Sequence, residues 1–284
     1  MRNVALFFVS LAALVAAACS SLVPILSTPT PIPTPDHSIL AADKRMETAA
    51  PDFVVYSVPG MELVTVANIP YNDSLTMDVY YPPDFDFAQA LPVVVFVNGF
   101  DDRRLKADVG TILKDAGIYI SWGQLVAASG MLGITYEAEH PDTDIHDVLR
   151  HVRANASHFR AIPDRICLWS SSANSALAVR VITDATLDYR DSLVCAVIYF
   201  GVIRRHGDLS PSIPLLVAKA GLDDERLNRD LDRFVQEARE ANIPLEYLVY
   251  DDGRHGFDGR QDTEESRNII EQTLEFLRSH LFAQ

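Results

Sequence analysis

Positive charge is in short supply in this sequence. Lys and Arg together number 24 against 39 Asp and Glu, a formal charge of −15, so the chain as a whole repels nucleic acid and anionic membrane surfaces. Cysteine is scarce, three residues in 284, and no closely spaced pair occurs. With no H-E-x-x-H, and with His146 and His151 off the i, i+4 spacing, no metal-ligand pattern is legible. A glycine-rich phosphate loop and internal repeats are also missing, which removes the usual nucleotide-binding and solenoid readings. No cofactor is implied.

What is present begins at the amino terminus. Met1-Arg2-Asn3 precedes an apolar run, 4–18, too short to span a bilayer comfortably, which reads as a secretory signal occupying 1–18. It ends in Ala16-Ala17-Ala18-Cys19, similar to the lipobox of bacterial lipoproteins, with Ala16 where that motif usually has leucine. The expectation is an exported protein held at the cell-envelope membrane by a lipid anchor at Cys19. Two or more acyl chains anchor stably where one holds only marginally. The alternative is cleavage in the alanine run and release as a secreted protein. Residues 19–45 include PILSTPTPIPTP, a polyproline-II tether that builds no core. The folded domain is placed at 46–284.

Within that domain the pattern changes once. Segments 53–58, 63–67 and 75–81 alternate and are punctuated by Pro-Gly and Pro-Pro, as antiparallel strands at a sheet edge do. From 92 onward, continuous apolar runs at 92–97, 131–135, 165–169, 193–200, 214–218 and 245–250 fit strands buried on both faces. Between them lie helical stripes such as Ile145, Val148, Leu149 and Val152, and Leu227, Leu231, Phe234 and Val235. Alternating strand and helix predicts an α/β fold, a mostly parallel central sheet with helices on both faces. Its functional groups belong at the carboxyl ends of the strands. Cys167 and Cys195 fall in two of the runs and read first as buried free thiols, with a bridge in an oxidising compartment as the lesser alternative, since sequence does not supply the separation it needs.

Three motifs at strand ends carry chemistry. Ser170-Ser171-Ser172-Ala173-Asn174 joins a strand to a helix, the setting of a nucleophile elbow, with Ser172 in register and the Ala173 amide aimed at a developing oxyanion. Both glycines of G-x-S-x-G are replaced, by Ser170 and Asn174, and a serine run also suits a simple helix cap. Ala220-Gly221-Leu222-Asp223-Asp224 follows a later strand and offers Asp223 as orienting acid, with Asp224 as the fallback. Gly253-Arg254-His255-Gly256-Phe257-Asp258 follows the last strand and places His255 between glycines. Among eight histidines it alone has that setting, and its neutral imidazole can take a serine proton and return it.

These motifs, in the order Ser, Asp, His over about 53–281, make the chain resemble the α/β-hydrolase superfamily, in particular its dienelactone-hydrolase-like and esterase-like members. The resemblance implies the α/β-hydrolase fold, a catalytic set of Ser172, Asp223 and His255, and a small-molecule ester substrate cleaved through an acyl-enzyme. It also implies that Gly99 or Phe100, in the Val97-Asn98-Gly99-Phe100 loop, supplies the second backbone oxyanion donor, with Asn98 where esterases often carry histidine. Segment 101–120, charged and then apolar, is a candidate for part of a rim over the site, with no role legible in its sequence. The rival reading is a catalytically silent scaffold that serves as a surface binding protein. An intact bond between Ser172 and His255 would count against it, and an Asn174 side chain in the oxyanion site would favour it.

Overall fold

Each of the six continuous apolar runs forms a strand, and two strands precede them. In the computed structural model, which describes residues 52–203, 206–209 and 213–283, these are β1 (Thr65–Pro70), β2 (Thr76–Tyr81), β3 (Leu91–Phe96), β4 (Leu132–Tyr136), β5 (Ala161–Ser171), β6 (Leu193–Tyr199), β7 (Leu215–Ala220) and β8 (Leu245–Tyr250). They form one sheet in the order β1-β2-β4-β3-β5-β6-β7-β8. β2 is antiparallel to both β1 and β4, and every other pairing is parallel. The signal segment 1–18, Cys19, the tether 19–45 and the domain start at 46 lie outside the described residues.

Both faces of the sheet are covered. On β3, Val93 and Val95 belong to one apolar cluster, while Val94 and Phe96 belong to the other. The first cluster is closed by α3 (Pro141–Ala154), α4 (Ala156–Phe159), α5 (Ser175–Thr183) and α6 (Glu225–Glu240). The second is closed by α2 (Gly117–Ala128) and α8 (Glu264–Leu281). Short α1 (Asp102–Val109) follows β3, and α7 (Phe257–Arg260) precedes α8. A strand buried on both faces has no polar side to alternate with, which is why these runs are continuously apolar.

Two expectations need correction. Segment 53–58 is not a strand: the Val54 amide donates to Ser121 Oγ at 2.8 Å and the Val55 amide to the Asp258 carbonyl at 2.8 Å. Its alternating pattern is satisfied against α2 and α7 instead of a neighbouring strand. Cys167 and Cys195 are not free thiols either. The register of β5 and β6 sets them opposite each other, with Cα atoms 4.7 Å apart, and they form a disulfide. Closing a loop of 28 residues stabilises by roughly 3–4 kcal/mol on chain entropy.

Candidate active site

β5 ends at Ser171, a 3-10 turn takes Ser172–Asn174, and α5 starts at Ser175. The change of direction puts Ser172 at φ +51°, the left-handed region that costs a side-chain-bearing residue on the order of 1–3 kcal/mol. Its carbonyl accepts from the Val202 amide at 3.0 Å. Ser170, in the first glycine place, is fully buried, and its hydroxyl donates to the Val197 carbonyl at 3.2 Å. A serine serves there because its one polar atom finds an acceptor on β6.

The turns after β7 and β8 are stitched together. The Gly221 amide donates to the Tyr250 carbonyl at 2.7 Å and the Leu222 amide to the Gly253 carbonyl at 2.8 Å. A Cβ on Gly221 would lie 2.2 Å from the Asp251 carbonyl oxygen, so the two turns can approach this closely only with glycine there. The result brings acid and base into contact: Asp223 Oδ2 lies 2.6 Å from His255 Nδ1, and His255 Nε2 lies 2.8 Å from Ser172 Oγ. Asp223 Oδ1 accepts from the Asp224 amide at 2.8 Å. With both carboxylate oxygens acting as acceptors, Nδ1 carries the imidazole proton and the Nε2 lone pair faces the serine hydroxyl. The Asp223 side chain is 7% exposed and that of His255 23%. Asp224 does something else: it is exposed, caps α6, and accepts from the Arg226 amide at 2.8 Å.

No protein-family model matches this chain, and neither does any curated protein sequence. Solved structures do. A thermophilic esterase from the Planctomycetes species Thermogutta terrifontis is 16% identical, with 78% of this chain and 94% of that one covered at a TM-score of 0.59. The esterase LipW from Mycobacterium marinum is 14% identical, with coverage of 78% and 83% and a TM-score of 0.63. An alpha/beta hydrolase enzyme from a Medee basin deep-sea metagenome library is 17% identical, with coverage of 78% and 99% and a TM-score of 0.56. The chain has the α/β-hydrolase fold.

The Asn98-Gly99-Phe100 loop, expected from sequence to supply an oxyanion donor, follows β3 and has its amides occupied. The Gly99 amide donates to Asn174 Oδ1 at 2.7 Å, and the Phe100 amide donates to Asn98 Oδ1 at 3.0 Å. Both expected donors are engaged by asparagine side chains. Ala173 belongs to the first turn after Ser172, where amides lack partners within the helix. Ala173 and Phe100 are buried in one small apolar patch with Leu105 of α1, and Leu113 packs against it. Of segment 101–120, Leu105 and Leu113 therefore pack beside this loop.

Several residues around the site were not picked out from sequence. Phe200, at φ +37°, places its ring 4.7 Å from that of His255. Asp102 is buried under the oxyanion loop, accepting from Asn98 Nδ2 at 2.9 Å, the Leu113 amide at 3.0 Å and the Ala138 amide at 2.8 Å. Burial lifts its carboxyl to about 6. Asp258 is buried three residues after His255 and accepts from Trp122 Nε1 at 2.8 Å. Burial lifts this carboxyl too, from 3.8 to about 6. An acidic residue after an aromatic in the last motif was the one visible signal for Asp258.

The raised Asp258 carboxyl makes a stability prediction with a definite sign. Between the two values the fold binds more protons than the unfolded chain, so its contribution is fully present below about pH 4. It is lost as pH rises to about 6, by roughly 3 kcal/mol. Asp258→Asn keeps an acceptor for Trp122 and removes the titration. Urea unfolding is expected to show the variant gaining on the wild type by that amount between about pH 4 and pH 7. Parallel curves would mean that Asp258 ionises without cost.

Proposed function

We propose that the chain is a serine hydrolase that cleaves carboxylic esters of small molecules through an acyl-enzyme on Ser172. The observation that carries this reading is the unbroken hydrogen-bonded series from Ser172 Oγ through both nitrogens of His255 to Asp223. Ser172 Oγ attacks the ester carbonyl carbon while its proton passes to His255 Nε2. Asp223, nearly buried beside Nδ1, stabilises the imidazolium that forms. Collapse of the tetrahedral intermediate expels the alcohol, which takes the proton from Nε2. Water, deprotonated by the same nitrogen, then attacks the acyl carbon and releases the acid, returning the proton to Ser172. The Ala173 amide faces the oxyanion, and the Phe100 amide of the β3 loop joins it only by turning from Asn98 Oδ1, the acceptor it holds at 3.0 Å.

Two features of the structural neighbours support this reading. The Thermogutta terrifontis esterase has been seen bound to propionate and to butyrate, and it is phosphorylated by paraoxon. A fluorophosphonate is therefore the direct test: wild-type protein is expected to gain one adduct, which peptide mass spectrometry places on Ser172. Well-folded protein that stays unlabelled would return the silent-scaffold reading to the front. The observation favouring that alternative is the Asn174 side chain on the Gly99 amide.

The same reading keeps the protein outside the cytoplasm, lipid-anchored through Cys19. The disulfide between Cys167 and Cys195 supports this placement, because such bonds persist in oxidising compartments. Cys19→Ser is expected to move the protein from the membrane fraction to the soluble fraction. Retention of the variant in the membrane would rule the anchor out.

A further inference from the structure

The second glycine place of the elbow is held by Asn174, which is 3% exposed, and the structure gives its side chain two fixed partners. Oδ1 accepts from the Gly99 amide at 2.7 Å, and Nδ2 donates to Tyr119 Oη at 2.9 Å. The Tyr119 hydroxyl donates in turn to the Val97 carbonyl at 3.3 Å. The orientation of the Asn174 amide follows from these partners: a backbone N–H can only donate, so the oxygen must face Gly99. Val97 and Gly99 flank Asn98. The bonds therefore leave the nucleophile turn in two directions, one directly and one through α2, and both end on the oxyanion loop.

The contact is close as well as polar. A Cβ on Gly99 would lie 3.2 Å from Asn174 Oδ1 and 3.3 Å from its Cα, so loop and elbow touch at this point. The other side of the loop is held by Asn98, whose Oδ1 accepts from the Phe100 amide at 3.0 Å while its Nδ2 donates to Asp102 at 2.9 Å. Bonded to Gly99 at its oxygen and to Tyr119 at its nitrogen, the Asn174 amide keeps the Gly99 N–H engaged. The Gly99 amide acts as an anchor, and the distance between the loop and the Ala173 amide depends on it.

We infer that Asn174 is a positioning residue for the ester hydrolysis proposed above. By tying Gly99 to the nucleophile turn, and being itself oriented by Tyr119, it holds the Gly99-Phe100 loop at a fixed distance from the Ala173 amide, the donor that faces the oxyanion. This role rests on the hydrolase reading, and the test separates the two.

Amide hydrogen exchange at Gly99 and steady-state hydrolysis of p-nitrophenyl acetate are measured on the wild type, Asn174→Ala, Tyr119→Phe and the double variant. Asn174→Ala is expected to speed exchange at Gly99 and to lower kcat by about tenfold to a hundredfold, the scale of a misplacement near one ångström, with KM nearly unchanged. Tyr119→Phe lowers kcat less, and the double variant is no worse than Asn174→Ala alone, because both act through one tie. If Asn174→Ala does not fold, Tyr119→Phe still decides through its fall in kcat at constant KM. Faster Gly99 exchange with kcat unchanged or raised overturns the proposal, since Asn174 then merely occupies the loop. Wild-type protein with a protected Gly99 amide, no turnover and no fluorophosphonate label overturns the hydrolase reading and this role with it. Slow exchange at Gly99 in Asn174→Ala overturns the tie alone.

Discussion

Ser172→Ala is expected to lower kcat for a p-nitrophenyl ester by about a millionfold, and His255→Ala by nearly as much, the scale seen where a serine and its base act as one unit. The reason is geometric. Ser172 Oγ has its proton acceptor 2.8 Å away in His255 Nε2, and neither group does chemistry alone: the hydroxyl is a weak nucleophile, and the imidazole has no other proton to take. The double variant should therefore be no slower than either single one. Residual turnover would reflect the oxyanion donors and substrate binding. Folding should be little affected, because alanine meets the same left-handed backbone at φ +51° as serine does. Kinetics on a short-chain ester, with circular dichroism as the check on folding, decide the matter. A Ser172→Ala protein retaining more than about a hundredth of the activity would place the nucleophile elsewhere in the serine run and break the unit argument.

The parallel half of the sheet was legible because burial on both faces leaves the inner strands few polar positions, and all six runs became strands β3 to β8, with Glu246 and Val249 exposed on the edge strand β8. The antiparallel edge was less so. Alternation at 53–58 describes any segment with one buried side, and here Val54 is buried while the Val54 and Val55 amides bond to Ser121 and Asp258 in place of a neighbouring strand. The three motifs of the candidate site could be read separately, because each sits where a strand ends in small residues. Their meeting depends on strand order, which places β5, β6, β7 and β8 side by side. The disulfide was hidden for a similar reason: only the register of β5 against β6 sets Cys167 opposite Cys195. The loop after β3 lies where its sequence placed it, but its bonds were not legible. Sequence shows Asn98 and Asn174 as departures from a pattern, but not that their carbonyls turn back onto the Phe100 and Gly99 amides.

Asp223 and Asp224 are adjacent and chemically identical, so their expected difference is the sharpest test of the structure. Asp223→Asn is expected to lower kcat by about ten-thousandfold, because an amide beside Nδ1 can present a donor and favour the tautomer with its proton on Nε2, facing Ser172. Size and burial are preserved, so stability should hold to within about 1 kcal/mol. Asp224→Ala should do the reverse. Its carboxylate caps α6 through the Arg226 amide and pairs with the exposed Arg226 side chain at 3.3 Å, and losing a cap costs about 1 kcal/mol. The backbone amide that Asp224 gives to Asp223 Oδ1 survives the substitution, so the acid stays oriented and kcat should change less than about threefold. The measurement pairs kcat with urea unfolding for both variants. An Asp224→Ala protein that loses activity as deeply as Asp223→Asn would mean that the turn after β7 exchanges its two carboxylates at the imidazole. The 2.6 Å contact between Asp223 and His255 would then be only one of its arrangements.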